Sequence, residues 1–153
     1  MTSRSPSVGG KAAGAWARVW AACIAAGILG LLGTAAWLRA DSGGHGTHTQ
    51  LGMPACAWAM AFDRPCPTCG MTTAFAHAAD GEFRASFLSQ PLGFMLALGA
   101  AAGFWGAVHV AATGSQLGTV SARLMQPRAL WVLAGLAAAA WAYKFATWPS
   151  TGH

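Results

Sequence analysis

Three long apolar runs, with a single charge among them, constrain this chain more than any other feature. The first, VWAACIAAGILGLLGTAAWL, covers residues 19–38 and holds 20 residues without a charge. As a helix it would be about 30 Å long, the thickness of a bilayer's hydrocarbon core. The second covers residues 91–113 and the third residues 129–148, where Lys144 is the one charged residue. Lys144 stands near the end of its run and is expected to snorkel to the interface. Charged residues make up 8% of the chain, against about 25% in soluble domains. A polar coat for a soluble fold is therefore missing. The first run is too long for a signal peptide's apolar region, and Leu38-Arg39-Ala40 makes a poor cleavage site, so it reads as a retained anchor. Trp20-Ala21-Ala22-Cys23 is rejected as a lipoprotein box, because no adequate apolar run precedes Cys23 and Arg18 lies close by. The expected fold is all-α: an integral membrane protein with three transmembrane helices, plus short interfacial or re-entrant helices in the first outer loop.

Orientation follows from Lys and Arg in the short flanking segments. Arg4, Lys11 and Arg18 precede the first run, and Arg123 and Arg128 lie between the second and third. Under three spans both segments share a side, which is expected to be cytoplasmic. Residues 39–90 hold all four acids, Asp41, Asp63, Asp80 and Glu82, and are expected outside. Trp16 and Trp20 on one edge, and Trp37 and Trp148 on the other, suit interfacial anchoring. The expected organisation is a disordered cytoplasmic arm at 1–18, one membrane domain at 19–148 and a short tail at 149–153. The net charge of +5 comes from scattered basic residues without a patch, so nucleic acid is excluded as a partner. The lipid bilayer is the expected partner. Other membrane proteins or self-association are a further option, through Gly/Ala-rich faces such as Gly99-x-x-x-Gly103 or Gly27, Gly30 and Gly33. His109, near the inner end of the second run, reads as a structural, hydrogen-bonded residue.

The chemistry-bearing side chains cluster in the loop. DSGGHGTHTQ at 41–50 reads as a flexible polar linker, with His45 and His48 as incidental metal ligands at most. Residues 51–62 are almost wholly apolar but too short to span, which suits an interfacial or re-entrant segment. FDRPCPTCGMTTAFAH follows, at 62–77. Pro67 fits the first position of a helix whose N-cap would be Cys66 and which would run to about Ala79 before Asp80-Gly81. A second short helical piece, EFRASFLSQ, leads into Pro91. On a helical wheel Cys66, Gly70, Thr73 and His77 share one stripe, with Cys69 beside it.

Cys56, nine residues, then Cys66-Pro67-Thr68-Cys69-Gly70-Met71-Thr72, the DGEF turn and Gln90-Pro91-Leu92 opening a span together resemble domain of unknown function 2752. The resemblance covers about residues 51–112. It implies a small bacterial multi-span membrane protein, placed in the cytoplasmic (inner) membrane, and it supplies no activity. Many members of that family have Arg where this chain has Thr73 and Asn where it has Gln90.

Three readings of the thiols stay open. In the redox reading, Cys66 and Cys69 form a reactive pair with Cys56 as a third thiol, favoured by an oxidising outer side. No strand precedes the pair, which argues against a thioredoxin-type fold. In the metal reading, Cys56, Cys66 and Cys69 supply soft ligands for zinc or copper(I). His77 is excluded there, lying eight residues past Cys69, about 12 Å along a helix. In the structural reading, which demands least, the cysteines clasp the apolar segment to the short helix. Gly70 allows a close approach, and Thr72 and Thr73 bond back to helix carbonyls. Cys23 is out of reach of the others. A c-type haem needs His after the second Cys, where Gly70 stands. There is no phosphate loop, G-x-S-x-G or H-E-x-x-H, and Asp80 and Glu82 read as a solvated pair. The expected role is a non-enzymatic accessory or structural membrane component without a cofactor. The alternatives are thiol–disulfide redox chemistry and zinc or copper binding.

Overall fold

The computed structural model describes residues 14–115 and 126–148. Residues 1–13 of the expected arm, Arg123 and the tail at 149–153 lie outside them. Among the described residues six α-helices and one 3₁₀ turn follow in chain order: α1 (Ala15–Trp37), the 3₁₀ turn (Thr47–Leu51), α2 (Ala57–Phe62), α3 (Met71–Ala79), α4 (Phe83–Ser89), α5 (Pro91–Thr113) and α6 (Pro127–Ala146).

α1, α5 and α6 are long and apolar enough to cross a membrane. Their surfaces leave Trp16, Ile24, Leu29, Trp105, Trp131 and Val132 exposed. Apolar area of that extent on a helical bundle suits lipid rather than water. The residues buried between the helices are small, among them Ala21, Ala25, Ala35, Ala97 and Ala140, as close approach in lipid requires. α1 begins at Ala15, four residues before the uncharged run, and this brings Arg18 into the helix. The Arg18 guanidinium reaches the C-terminal end of α5, its Nε donating to Ala111 O at 2.9 Å and its Nη2 to Ala112 O at 3.1 Å. Those carbonyls have no partner within the helix, and a cation suits the negative end of its dipole. α1 and α5 therefore lie side by side in opposite directions, and a Cβ on Gly103 would sit 3.7 Å from Ile28 Cδ1.

The most buried large side chains lie elsewhere, and none is a large aliphatic or aromatic: Gln90, Thr47, Thr73, Pro65 and Ser86. They belong to a cap of short segments, residues 38–90, at the end where α1 finishes and α5 starts. α3 is the centre of this cap and packs on α1, α4, α5 and the 3₁₀ turn. Its Ala74 is fully buried and meets Gly93 of α5, where an added Cβ would lie 2.9 Å from Ala74 Cβ. Ser86 Oγ of α4 donates to Ala74 O at 2.6 Å, so α3 and α4 form a locked hairpin.

Several local expectations are corrected by the structure. The helix expected from Cys66 starts only at Met71, because Gly70 takes a left-handed φ of 84° that stops a helix from running through it. Residues 66–70 form a turn instead, with Cys69 N–H on Cys66 O at 3.0 Å and Met71 N–H on Thr68 O at 3.1 Å. Cys66 and Cys69 therefore share no helical stripe with Thr73 and His77. The segment 41–50 is not a free linker: Thr47 is buried, and its Oγ1 accepts Asp41 N–H at 3.0 Å and pairs with Thr73 Oγ1 at 2.8 Å. Thr73 thus bonds across to Thr47 rather than back to its own helix. Lys144 does not snorkel outward; it is 6% exposed and turned into the cap.

A candidate thiol centre

The three loop cysteines come from two segments. Cys56 is the N-cap of α2, while Cys66 and Cys69 sit in the turn before α3. All three are free thiols, Cys69 buried and the other two half-buried. Their Sγ atoms lie within 4.8 Å of one another, and those of Cys66 and Cys69 are 3.3 Å apart.

The turn is held at both of its prolines. Pro65 O accepts Trp141 Nε1–H from α6 at 3.1 Å, and Pro67 O accepts Gln90 Nε2–H from the head of α5 at 3.1 Å. Arg64 lies 4.9 Å from the centre of the Phe145 ring, a cation–π contact to α6. Gly70 closes the turn against the rest of the cap. A Cβ there would stand 2.7 Å from Gly44 O and 2.9 Å from Ser89 O, so glycine is needed for space as well as for φ. The same two carbonyls accept the Lys144 ammonium, Gly44 O at 3.1 Å and Ser89 O at 2.9 Å. One residue from the third spanning helix thus joins the 41–50 segment to the end of α4. It also sets a positive charge close enough to act on Cys69 electrostatically.

The two thiols of the turn differ in acidity. Burial pushes Cys66 up, but hydrogen bonds with Thr68, Cys69 and Cys56 more than offset this and leave it below the ordinary thiol range. Burial, then the hydrogen bond shared with Cys66, pushes Cys69 up to about 12. Cys66 is therefore the thiolate former and Cys69 the proton-bearing partner.

The thiols open into a cleft of about 600 Å³. Met53, Met60 and Met71 line it with the three cysteines, and His45, His48, Asp63 and Trp148 line it elsewhere. The histidine rings have their own contacts. His45 Nδ1 is 2.8 Å from Gly43 O and its ring lies 4.6 Å from that of Trp148. His48 Nε2 is 3.2 Å from Pro54 O. Neither joins the sulfur group, and His77 is also apart, paired with Glu82 at 2.7 Å. Cys23 is exposed on α1 and outside the group. The structure thus gathers Cys56, Cys66 and Cys69 and leaves the remaining candidates out.

Sequence reasoning missed Lys144, Trp141 and the three methionines as neighbours of the thiols. Only Lys144 carried a signal, because an ionisable residue within a span is expected to face protein and to have a partner. Gln90 was visible only as a family position; it is fully buried and its Nε2–H holds Pro67 O. No curated protein and no solved structure matches the chain. Residues 56–104, from the first thiol of the centre to the middle of α5, match the model of a family described as Protein of unknown function (DUF2752), the family that the spacing of these cysteines resembles.

Proposed function

We propose that this is a non-enzymatic membrane protein whose loop holds a thiophilic metal ion between Cys56, Cys66 and Cys69 on the outer face of the cytoplasmic membrane. One observation carries the reading: three free thiols from two segments converge within 4.8 Å. A disulfide would bond only two of them. A metal uses all three. With metal–sulfur bonds of about 2.3 Å, ligand sulfurs in a tetrahedral site stand roughly 3.8 Å apart, inside the range seen here. Binding would also tie α2 to the turn, so the structural clasp and the metal site are one device. The nearby Lys144 ammonium offsets part of the negative charge that three thiolates bring.

A second reading rests on the 3.3 Å between Cys66 and Cys69. That pair needs only small rotations to form a disulfide, and its unequal acidities suit thiol–disulfide exchange. Thiol counting with elemental analysis separates the two. Protein purified in detergent without chelator is expected to carry about one metal ion per chain, lost when the three cysteines are replaced by serine. A metal-free protein with one reducible disulfide would overturn the metal reading in favour of exchange.

A further inference from the structure

We infer that the ion is monovalent copper, and that the methionines of the cleft are its route to the thiols; this rests on the metal reading above. Three observations narrow the ion. First, among the described residues the group that could hold a metal consists of sulfur alone; no histidine nitrogen or carboxylate lies close enough to join Cys56, Cys66 and Cys69. Zinc takes four ligands and fills a missing one with nitrogen, oxygen or water, whereas soft thiolate and thioether donors select copper(I). A three-sulfur set by itself satisfies a cation that accepts low coordination numbers, whereas zinc would need a water as its fourth ligand.

Second, the wall of the cleft continues the soft chemistry outward. Met60 is 70% exposed and Met53 46% exposed, while Cys69 at the inner end is 7% exposed. Met71 follows Cys69 by two residues, is half-buried and lines the same cleft. A thioether is a neutral ligand that binds copper(I) weakly and releases it readily. A thiolate binds it more tightly. The sulfurs therefore form a gradient of affinity from the surface inward.

Third, the histidines that line the cleft stand outside the sulfur group. His45 is turned toward Gly43 and Trp148, and His48 toward Pro54. Loading is then a ligand exchange without electron transfer. Copper(I) leaves its carrier, sulfur–copper bonds form at Cys56, Cys66 and Cys69, and each thiol that becomes a thiolate releases one proton to solvent.

The test uses the full chain in lipid nanodiscs under anaerobic, reducing conditions, loaded either with copper(I) from a chromophoric chelator or with zinc(II). The expected result is one copper(I) per chain that excess zinc(II) does not displace, with X-ray absorption showing sulfur donors only. Replacing Met53, Met60 and Met71 together by leucine, which keeps volume and apolarity, is expected to leave that stoichiometry unchanged and to slow loading about tenfold. Zinc(II) binding that copper(I) does not displace, or a nitrogen donor in the absorption spectrum, would overturn the assignment of copper. Loading of the leucine variant at the parent rate would overturn the route. Failure of both metals to bind would instead sink the metal reading itself, which keeps the two levels distinguishable.

Discussion

At the scale of single residues, the centre depends on what Gly70 and the two turn cysteines do. The Cys66-x-x-Cys69-Gly70 spacing was legible in the sequence, but its local geometry was not. Pro67 argued for a helix start, and Gly70 overrode it by taking a left-handed φ of 84° in a space too tight for any side chain. That space is made by Gly44 and Ser89, residues far away in the chain, so no local rule could have revealed it. The unequal thiols lead to a prediction for metal-free, reduced protein. A thiol reacts as its thiolate, so a group with lowered pKa reacts at lower pH and one with raised pKa is held back. As pH rises, an alkylating reagent is expected to modify Cys66 first, below the pH at which an ordinary thiol responds. Cys69, pushed up to about 12, should stay unmodified through pH 9. Peptide mass spectrometry after timed alkylation reads the order, and equal rates at the two sites would contradict the asymmetry.

At the scale of elements, the cap is held to the spanning helices by a few polar contacts rather than by a large apolar core. Trp141 and Lys144 reach it from α6, Gln90 from α5, and the Thr47–Thr73 pair joins the 3₁₀ turn to α3. The short helices after residue 70 were legible, because Asp80-Gly81 and Pro91 punctuate them. The tucked segment at 41–50 was not, because three glycines, two threonines and two histidines read as a linker until Thr73 and Lys144 are brought to it. Lys144→Met is the informative change. It keeps the length of the side chain and removes the donor shared by Gly44 O and Ser89 O. Leaving buried carbonyls without a partner costs about 1–3 kcal/mol. The cap should loosen while the spans persist, seen as faster hydrogen exchange at residues 41–50 and 66–70 with unchanged helix content. Unaltered exchange would show that the ammonium holds nothing in place.

At the scale of the whole molecule, three apolar helices and one polar cap suit a protein that stands in the bilayer and presents its thiols at one surface. Positive charge in the short flanks favours placing that surface outside. In intact cells treated with reductant and a chelator that cannot cross the membrane, a thiol reagent that cannot cross it either is expected to label the protein, and Cys66→Ser should abolish most of that labelling. Labelling that requires opened membranes would reverse the orientation. Arg18, counted at first only as a topology signal, also caps α5 from within α1, so one residue serves insertion and packing together.

The sequence by itself determined the class of the protein: three helices long enough to span, their approximate limits, two short helices ahead of Pro91, and the identity of the three thiols. Those properties follow from uncharged length, from Gly and Pro punctuation and from cysteine spacing, all of which are local. Only the tertiary structure decided that Cys56 meets Cys66 and Cys69, that His45, His48 and His77 stand aside, and that Lys144 turns inward. Each of these joins residues distant in sequence, and each depends on where the backbone carbonyls of Gly44, Pro65, Pro67 and Ser89 come to rest when the cap closes on the helix ends. Hydrophobic patterning places helices in a membrane. The polar groups left at their ends find partners by geometry, and that geometry gathers the thiols.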